Sequence, residues 1–344
     1  MMGHDEIWWG QVPGCMRLIQ SITDLLSEGK TVWLNSKALA WPDSFRSALK
    51  DSMYASGSGV SFSMLDTGSL PCGGAPTEVI RRHICGLDAA PSFFKDSLEG
   101  LIRSLPELNI AIWLHGLPSQ AAAQWLELSA ALAARKGVRL TLACETPEPQ
   151  ATKKNVMPVS PEAAIGPFDM QYFAMTLLSR QSQTPFLTEY ASGLIAEIAQ
   201  KDALLCNELC MSAQELLCSP YNFCRALMSS YDEHHIRVSL RNVQIKYVLP
   251  LVERKRLYFI EYLDARAGRL LPFLDDFDNQ INTPPEIELR HLVYFQRQGK
   301  LRLLEKEEAC LRRLHDARNR LSHLQEISYE TILRIQEEPV LLGC

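Results

Sequence analysis

Apolar positions along the first 150 residues switch repeatedly between helical spacing and short continuous runs. Leu18, Ile22, Leu25 and Leu26 share a helical face and predict a helix from near Cys15 to Leu26. Thr31-Val32-Trp33-Leu34-Asn35 then reads as a short apolar strand. Asp43 is placed to cap a helix carrying Phe45, Leu49 and Met53 on one face. Val60 to Leu65 alternates and reads as a second strand. Pro71-Cys72-Gly73-Gly74-Ala75-Pro76 is a loop by composition. Thr77 caps a helix through Ile84, and another helix runs from about Ser92 to Leu105. Asn109 to Leu114 is continuous and apolar, as a buried central parallel strand should be. A helix from Pro118 to Arg135 and a strand from Val138 to Ala143 close the series. Strands alternating with helices predict an α/β domain over residues 1–148, with a mostly parallel sheet of about four or five strands.

Glu145 to Pro161 is rich in Pro, Thr, Lys and Gln, and residues 149–166 read as a linker. Strand signals then become sparse. Residues 167–242 form a helical middle region with breaks at Thr184-Pro185 and Ser219-Pro220, apart from a β-like run at Ile236 to Leu240. Residues 243–344 read as helical: Ile245 to Ala265, bent near Pro250, then a loop of Asp275, Asp276, Asp278 and Asn279 leading to Thr283-Pro284-Pro285, then Glu286 to Gln298, then Leu301 to Leu324. The expected fold is therefore an α/β N-terminal domain followed by an all-α C-terminal half.

With 47% hydrophobic and 22% charged residues in 344, the chain has enough apolar material for two or three packed domains. A formal net charge of −5 excludes the global basic field of dedicated nucleic-acid binders. No apolar run approaches the roughly 18 residues that cross a bilayer. The start, Met1-Met2-Gly3-His4-Asp5-Glu6, has acidic residues where a signal peptide has basic ones. The expected address is cytoplasmic, with no membrane association. Cys206, Cys210, Cys218 and Cys224 lack the close pairs of a zinc site, so the ten cysteines read as reduced thiols and no metal is expected.

Gly29-Lys30-Thr31 imitates the end of a phosphate-binding loop, but Asp24 stands where the first glycine belongs, and the triplet precedes a strand instead of following one. It reads as a helix stop and strand entry. After Leu34 the chain runs Asn35-Ser36-Lys37-Ala38-Leu39-Ala40-Trp41-Pro42, without glycine. The strand through Trp113 ends in Leu114-His115-Gly116, without a metal-organising carboxylate. The layout resembles a P-loop NTPase domain that lacks its Walker A loop and fits any other open α/β sheet equally well, and no cofactor is expected. Asp66, beside Thr67-Gly68-Ser69, stands at a strand end, where open sheets bind ligands; a plain polar loop residue is the alternative.

Near the C-terminus, Arg318-Asn319-Arg320-Leu321-Ser322-His323 resembles the Arg-x(4–6)-His signature of HEPN domains. Pro250 to Arg256 and Glu286 to Leu292 are similar to the preceding helices of HEPN-like domains in prokaryotic conflict and antiphage defence proteins, where such domains often follow an NTPase-like module. The resemblance implies metal-independent RNA cleavage by a homodimer formed through the C-terminal helices. It assigns Arg318 to the phosphate and His323 to general acid or base work on the ribose 2′-hydroxyl or the leaving oxygen. Asn319 would orient either group. A guanidinium fork suits phosphate and an imidazole suits proton transfer near neutral pH.

The opposing reading is structural. Leu311, Leu314, Ala317, Leu321 and Leu324 form an apolar stripe, with Arg318 at its edge. On one unbroken helix, residues 318 and 323 point about 140° apart. Arg318 then pairs with Glu305, Glu307, Glu308 or Asp316. Three functions stay open: a HEPN-type endoribonuclease of a defence system, a non-catalytic scaffold binding a protein partner from the same system, and nucleotide sensing without hydrolysis. His234-His235, the Asp275-Asp276-x-Asp278 run and Cys72 are weaker candidates.

Overall fold

The computed structural model describes residues 3–37, 39–69, 75–85, 98–104, 108–117, 119–135, 137–146, 156–180 and 184–341. The chain divides into two compact units, Met1–Phe173 with Lys201–Leu204, and Ala174–Gln200 with Leu205–Cys344.

The first unit is built on a five-stranded, wholly parallel sheet. Its strands are β1 (Thr31–Asn35), β2 (Ser61–Asp66), β3 (Ile110–His115), β4 (Leu140–Thr146) and β5 (Val156–Val159), in the order β2-β3-β4-β1-β5. Val32 lies between Ala143 and Met157, and Ile112 between Ser63 and Leu142. Parallel strands need crossovers. The helices of this part are α1 (His4–Gln11), α2 (Pro13–Ser27), α3 (Pro42–Ala55), α4 (Pro76–Cys85), α5 (Leu98–Ser104), α6 (Ser119–Ala133), α7 (Pro161–Ala164) and the first half of α8 (Pro167–Leu178), whose residues from Ala174 count with the second unit. β4 is buried along its whole length and β3 along all but its last residue. Burial on both faces explains why neither strand alternates. One core cluster gathers Trp33, Ile112, Leu114, Trp125, Leu142 and Cys144. Phe45 packs against Trp113 and Trp9, with ring centroids 5.7 and 4.9 Å away.

Two elements of this unit differ from expectation. The stretch read as a linker contributes β5, the edge strand beside β1. Its Pro158 carries no ladder donor, and an edge strand tolerates that loss. Composition pointed to a loop because Pro, Thr, Lys and Gln are frequent in it. The second element is α1, which shows no helical period. Ile7, Trp8 and Trp9 are consecutive and all buried, so they lie on no single stripe.

From Pro185 onward the chain is largely helical. It forms α9 (Pro185–Ala199), α10 (Ala203–Met211), α11 (Ala213–Cys218), α12 (Pro220–Leu227), α13 (Glu233–Val243), a π-helical turn (Gln244–Val248) and α14 (Leu249–Leu263). After α15 (Ala265–Gly268) come a hairpin of β6 (Phe273–Leu274) and β7 (Gln280–Ile281), then α16 (Leu289–Arg297), α17 (Glu305–Ser322) and α18 (Tyr329–Gln336). The hairpin turns within the loop expected from Asp275 to Pro285 and adds a short strand pair to it. Asp275 closes it, its Oδ1 accepting the N–H groups of Phe277 and Asn279 at 2.9 and 2.8 Å.

Ile236 to Leu240, read as β-like, lies inside α13. Asp232 caps that helix by accepting the N–H of His234, and Ile236, Leu240 and Val243 are buried at helical spacing. Packing overrides the strand preference of Ile236 and Val238. The bend expected near Pro250 takes the form of the π-helical turn immediately before α14, at whose start Pro250 stands. A missing N–H at that point favours a widened turn.

Candidate functional site

Three places carry candidate chemistry: the carboxyl end of the sheet, the Arg318 helix, and the turn after it. At the sheet, β1 stands between β4 and β5, so the chain leaves β1 and β4 in opposite directions. The crevice at the carboxyl ends of such strands is where open α/β sheets bind ligands. Among the described residues, groups of the chain itself pair with one another there. The Ser36 N–H donates to the Thr146 carbonyl at 2.8 Å. The neighbouring Glu145 is buried and accepts Arg46 Nε and Nη2, both at 2.9 Å, and Trp113 Nε1 at 2.6 Å.

The helix after β1 is the one whose N-terminus would cradle phosphate. α3 begins at Pro42, which has no N–H to offer, and Trp41 before it sits at φ 46°. Trp9 Nε1 donates to the Ala40 carbonyl at 2.9 Å, and Ser44 Oγ donates to the Asp5 carboxylate. Trp8 packs edge-to-face on Trp41 and Phe173. A carboxylate, indoles and a proline thus stand where free amides are needed.

Gly29 terminates α2, as its place before a strand predicts. At φ 72° it donates to the Leu26 carbonyl at 3.0 Å, and Lys30 N donates to Leu25 at 2.8 Å. Those two bonds make a Schellman helix end. Asp66 accepts the Gly68 N–H at 3.0 Å and lies 3.9 Å from His115 Nδ1 at the neighbouring strand end.

In the second unit, α17 positions the Arg318 motif. Cys310, Leu311, Leu314, Ala317 and Leu321 are buried along one stripe. Leu324 is not part of it. The helix ends at Ser322, Leu324 turns out at φ 55°, and it is 57% exposed. Arg318, at the stripe's edge, has Nε 3.5 Å from Glu253 Oε1 and Nη2 3.7 Å from Glu288 Oε2. These carboxylates come from α14 and from the residue preceding α16. The acidic residues of its own helix, Glu305, Glu307, Glu308 and Asp316, are not its ion-pair partners. Glu307 serves Arg266 instead, at 2.8 and 2.9 Å, Glu308 pairs with Arg312, and Asp316 lies 3.7 Å from His315.

Asn319 Nδ2 lies 3.2 Å from the His315 ring. His323 is the C-cap of α17 and is exposed, and among the described residues its imidazole has no hydrogen bond or ion pair. Because α17 is unbroken through Ser322, Arg318 and His323 leave it about 140° apart. The fold brings Arg318 to Glu253 and Glu288, and Asn319 to His315. It does not bring Arg318 to His323 within one chain.

Cys206, Cys210 and Cys224 are buried, Cys218 is exposed, and none is in a disulfide. Among the described residues no group of three or more His, Cys, Asp or Glu side chains is arranged to hold a metal ion. Cys72 lies outside the described residues. Among those residues, no helix is long and apolar enough to cross a membrane.

A cluster of arginines went unnoticed in the sequence. Arg225, Arg237, Arg241 and Arg320 line one pocket. Its only local signal is the four-residue spacing of Arg237 and Arg241, which puts both on one face of α13.

No family model matches the chain, and no curated protein matches its sequence. Among solved structures it is similar to a chain in the structure of Drosophila ORC bound to DNA, at 10% identity and a TM-score of 0.38, covering 97% of this chain and 90% of that one.

Proposed function

We propose that this protein is a non-catalytic scaffold or regulatory interaction protein, of the kind that accompanies HEPN-like domains in prokaryotic defence complexes, with an α/β unit that has lost nucleotide chemistry. The observation that carries this reading is the position of Arg318 between Glu253 and Glu288, on a different side of α17 from His323. Glu253 and Glu288 also hold Arg256 and Arg290, at 2.8 and 2.9 Å, so Arg318 belongs to an ion-pair network that fixes its side chain among α14, α16 and α17. An imidazole about 140° away around the helix cannot serve the same phosphate from the same chain. The start of α3, with Pro42 at its first position and Ser44 and Ala40 engaged by Asp5 and Trp9, supports the loss of phosphate binding in the other unit.

A cleavage assay tests it. The full chain, Arg318→Ala and His323→Ala are incubated with single-stranded RNA, and each is expressed in a bacterial host. The expected result is no cleavage by any of the three and equal growth. RNA cutting by the full chain that either substitution abolishes overturns the reading.

One observation favours the alternative, a HEPN-type endoribonuclease acting as a homodimer. The two ion pairs of Arg318 are longer than direct hydrogen bonds, its side chain is 33% exposed, and His323 is unpaired. Two chains would then supply the arginine and the histidine of one site. That reading requires a dimer in solution, so a monomer by light scattering removes it.

A further inference from the structure

Arg225 of α12, Arg237 and Arg241 of α13, and Arg320 of α17 line a pocket of about 450 Å³ together with two carboxylates, Glu233 and Glu326. The positive charges outnumber the negative ones, and the carboxylates are further occupied. Glu233 bridges Arg237 at 2.7 Å and Arg225 at 3.4 Å. Both oxygens of Glu326 lie within hydrogen-bond distance of the Tyr221 hydroxyl, at 2.6 and 2.7 Å. Arg241 reaches Glu326 only at 3.9 Å, and its Nε is shielded from solvent without a hydrogen-bond acceptor. Arg320 spends its donors on a neutral group, the Glu326 carbonyl, at 2.7 and 3.0 Å. Two guanidiniums therefore face the pocket with little compensation, and guanidinium forks match phosphate oxygens.

The surroundings limit what fits. Arg320 also lines an adjoining pocket of about 380 Å³, but the other arginines there are neutralised: Arg313 by Glu338 and Arg334 by Glu330. Uncompensated positive charge does not continue into that adjoining pocket as an extended polyanion needs, and the whole chain carries −5. Tyr221 is the one aromatic ring among the lining residues, so a base would find few apolar walls.

We propose that this pocket binds a compact, multiply charged phosphate anion, recognised through its phosphate oxygens alone whether it is inorganic or attached to a small molecule. Such a ligand would draw α12, α13 and the end of α17 together, which makes it a candidate regulator of the second unit. The pocket contains neither Arg318 nor His323, so this proposal stands or falls independently of the scaffold reading.

Isothermal titration of the full chain with sodium tripolyphosphate at low ionic strength tests it. Saturable binding at one site per chain is expected. Arg237→Gln with Arg241→Gln should weaken it by about tenfold or more, and Glu233→Gln should tighten it by several-fold. Arg225→Gln, at a more exposed position, should weaken it in the same direction, with circular dichroism confirming that each variant is folded. Arg318→Ala should leave it unchanged. ATP should bind about as tightly as tripolyphosphate. The absence of binding, wild-type affinity in the folded arginine variants, or ATP binding tighter by about tenfold or more would overturn the proposal. So would single-stranded RNA binding with the same arginine dependence while tripolyphosphate does not bind.

Discussion

The side-chain amide of Gln244 pairs with both backbone groups of Ile327, its Nε2 donating to the carbonyl and its Oε1 accepting the N–H, each at 2.9 Å. Gln244 opens the π-helical turn and is 2% exposed, and Ile327 lies in the segment between α17 and α18. The segment carrying His323 and Glu326 is thus anchored to the end of α13 by a buried two-way clamp. Replacing Gln244 by leucine keeps the volume and strands two buried backbone groups. The loss should be about 2–6 kcal/mol, at roughly 1–3 kcal/mol per unsatisfied group. Native-state hydrogen exchange should show the Ile327 amide losing its protection first. Unchanged protection would mean that the clamp carries no stability.

Leu324 occupies the left-handed position of the helix end after α17. Its N–H donates to the Leu321 carbonyl at 3.1 Å, and Gln325 N donates to Arg320 at 2.8 Å. Glycine is the usual residue there, and a branched side chain is strained by about 1–2 kcal/mol. Leu324 is exposed, so little packing offsets the strain. Leu324→Gly should therefore stabilise the protein by about 0.5–1 kcal/mol, after the larger chain entropy of glycine is subtracted. Chemical denaturation of both forms checks this, and a destabilised variant would contradict it.

Glu307 is 1% exposed, receives two hydrogen bonds from Arg266, and accepts the Leu304 N–H at 2.8 Å at the start of α17. The Arg266 bonds, more than the backbone one, hold its carboxyl below the ordinary 4.5. The unfolded chain therefore takes up the proton first on acidification. This contribution to stability is complete above about pH 4.5 and disappears as the pH falls through the lowered folded value. Glu307→Gln should be less stable than wild type at neutral pH, and the gap should narrow with acidification. A gap that does not change with pH would rule out the ion pair as its source.

Burial pushes the thiols of Cys144 and Cys310 up to about 12 and that of Cys224 to about 11. The thiolate is the reactive form, so all three should resist alkylation. Cys218 is exposed. Iodoacetamide at neutral pH should modify Cys218 in the native protein, and the other three only after denaturant is added. Peptide mass spectrometry reads the sites, and rapid native labelling of Cys144 or Cys310 would show that those interiors open.

What the chain pattern determined by itself is the architecture of buried faces. β3 and β4 were legible because a strand covered on both sides must be apolar throughout, and the helix of Leu18, Ile22 and Leu26 because only one face of it meets the core. The helical period also set the angle between Arg318 and His323 once α17 was known to be unbroken. Tertiary structure decided everything that depends on neighbours distant in sequence. It made an edge strand, β5, out of a stretch whose composition reads as a linker, by pairing it with the open side of β1. It gave Arg318 its partners on α14 and before α16, and it brought Asp5, Trp8 and Trp9 of α1 against the start of α3. It also gathered four arginines from three helices around one pocket. Periodicity records which side of an element is dry, whereas ion pairing and pocket formation depend on distances through space, and those exist only after the elements have packed.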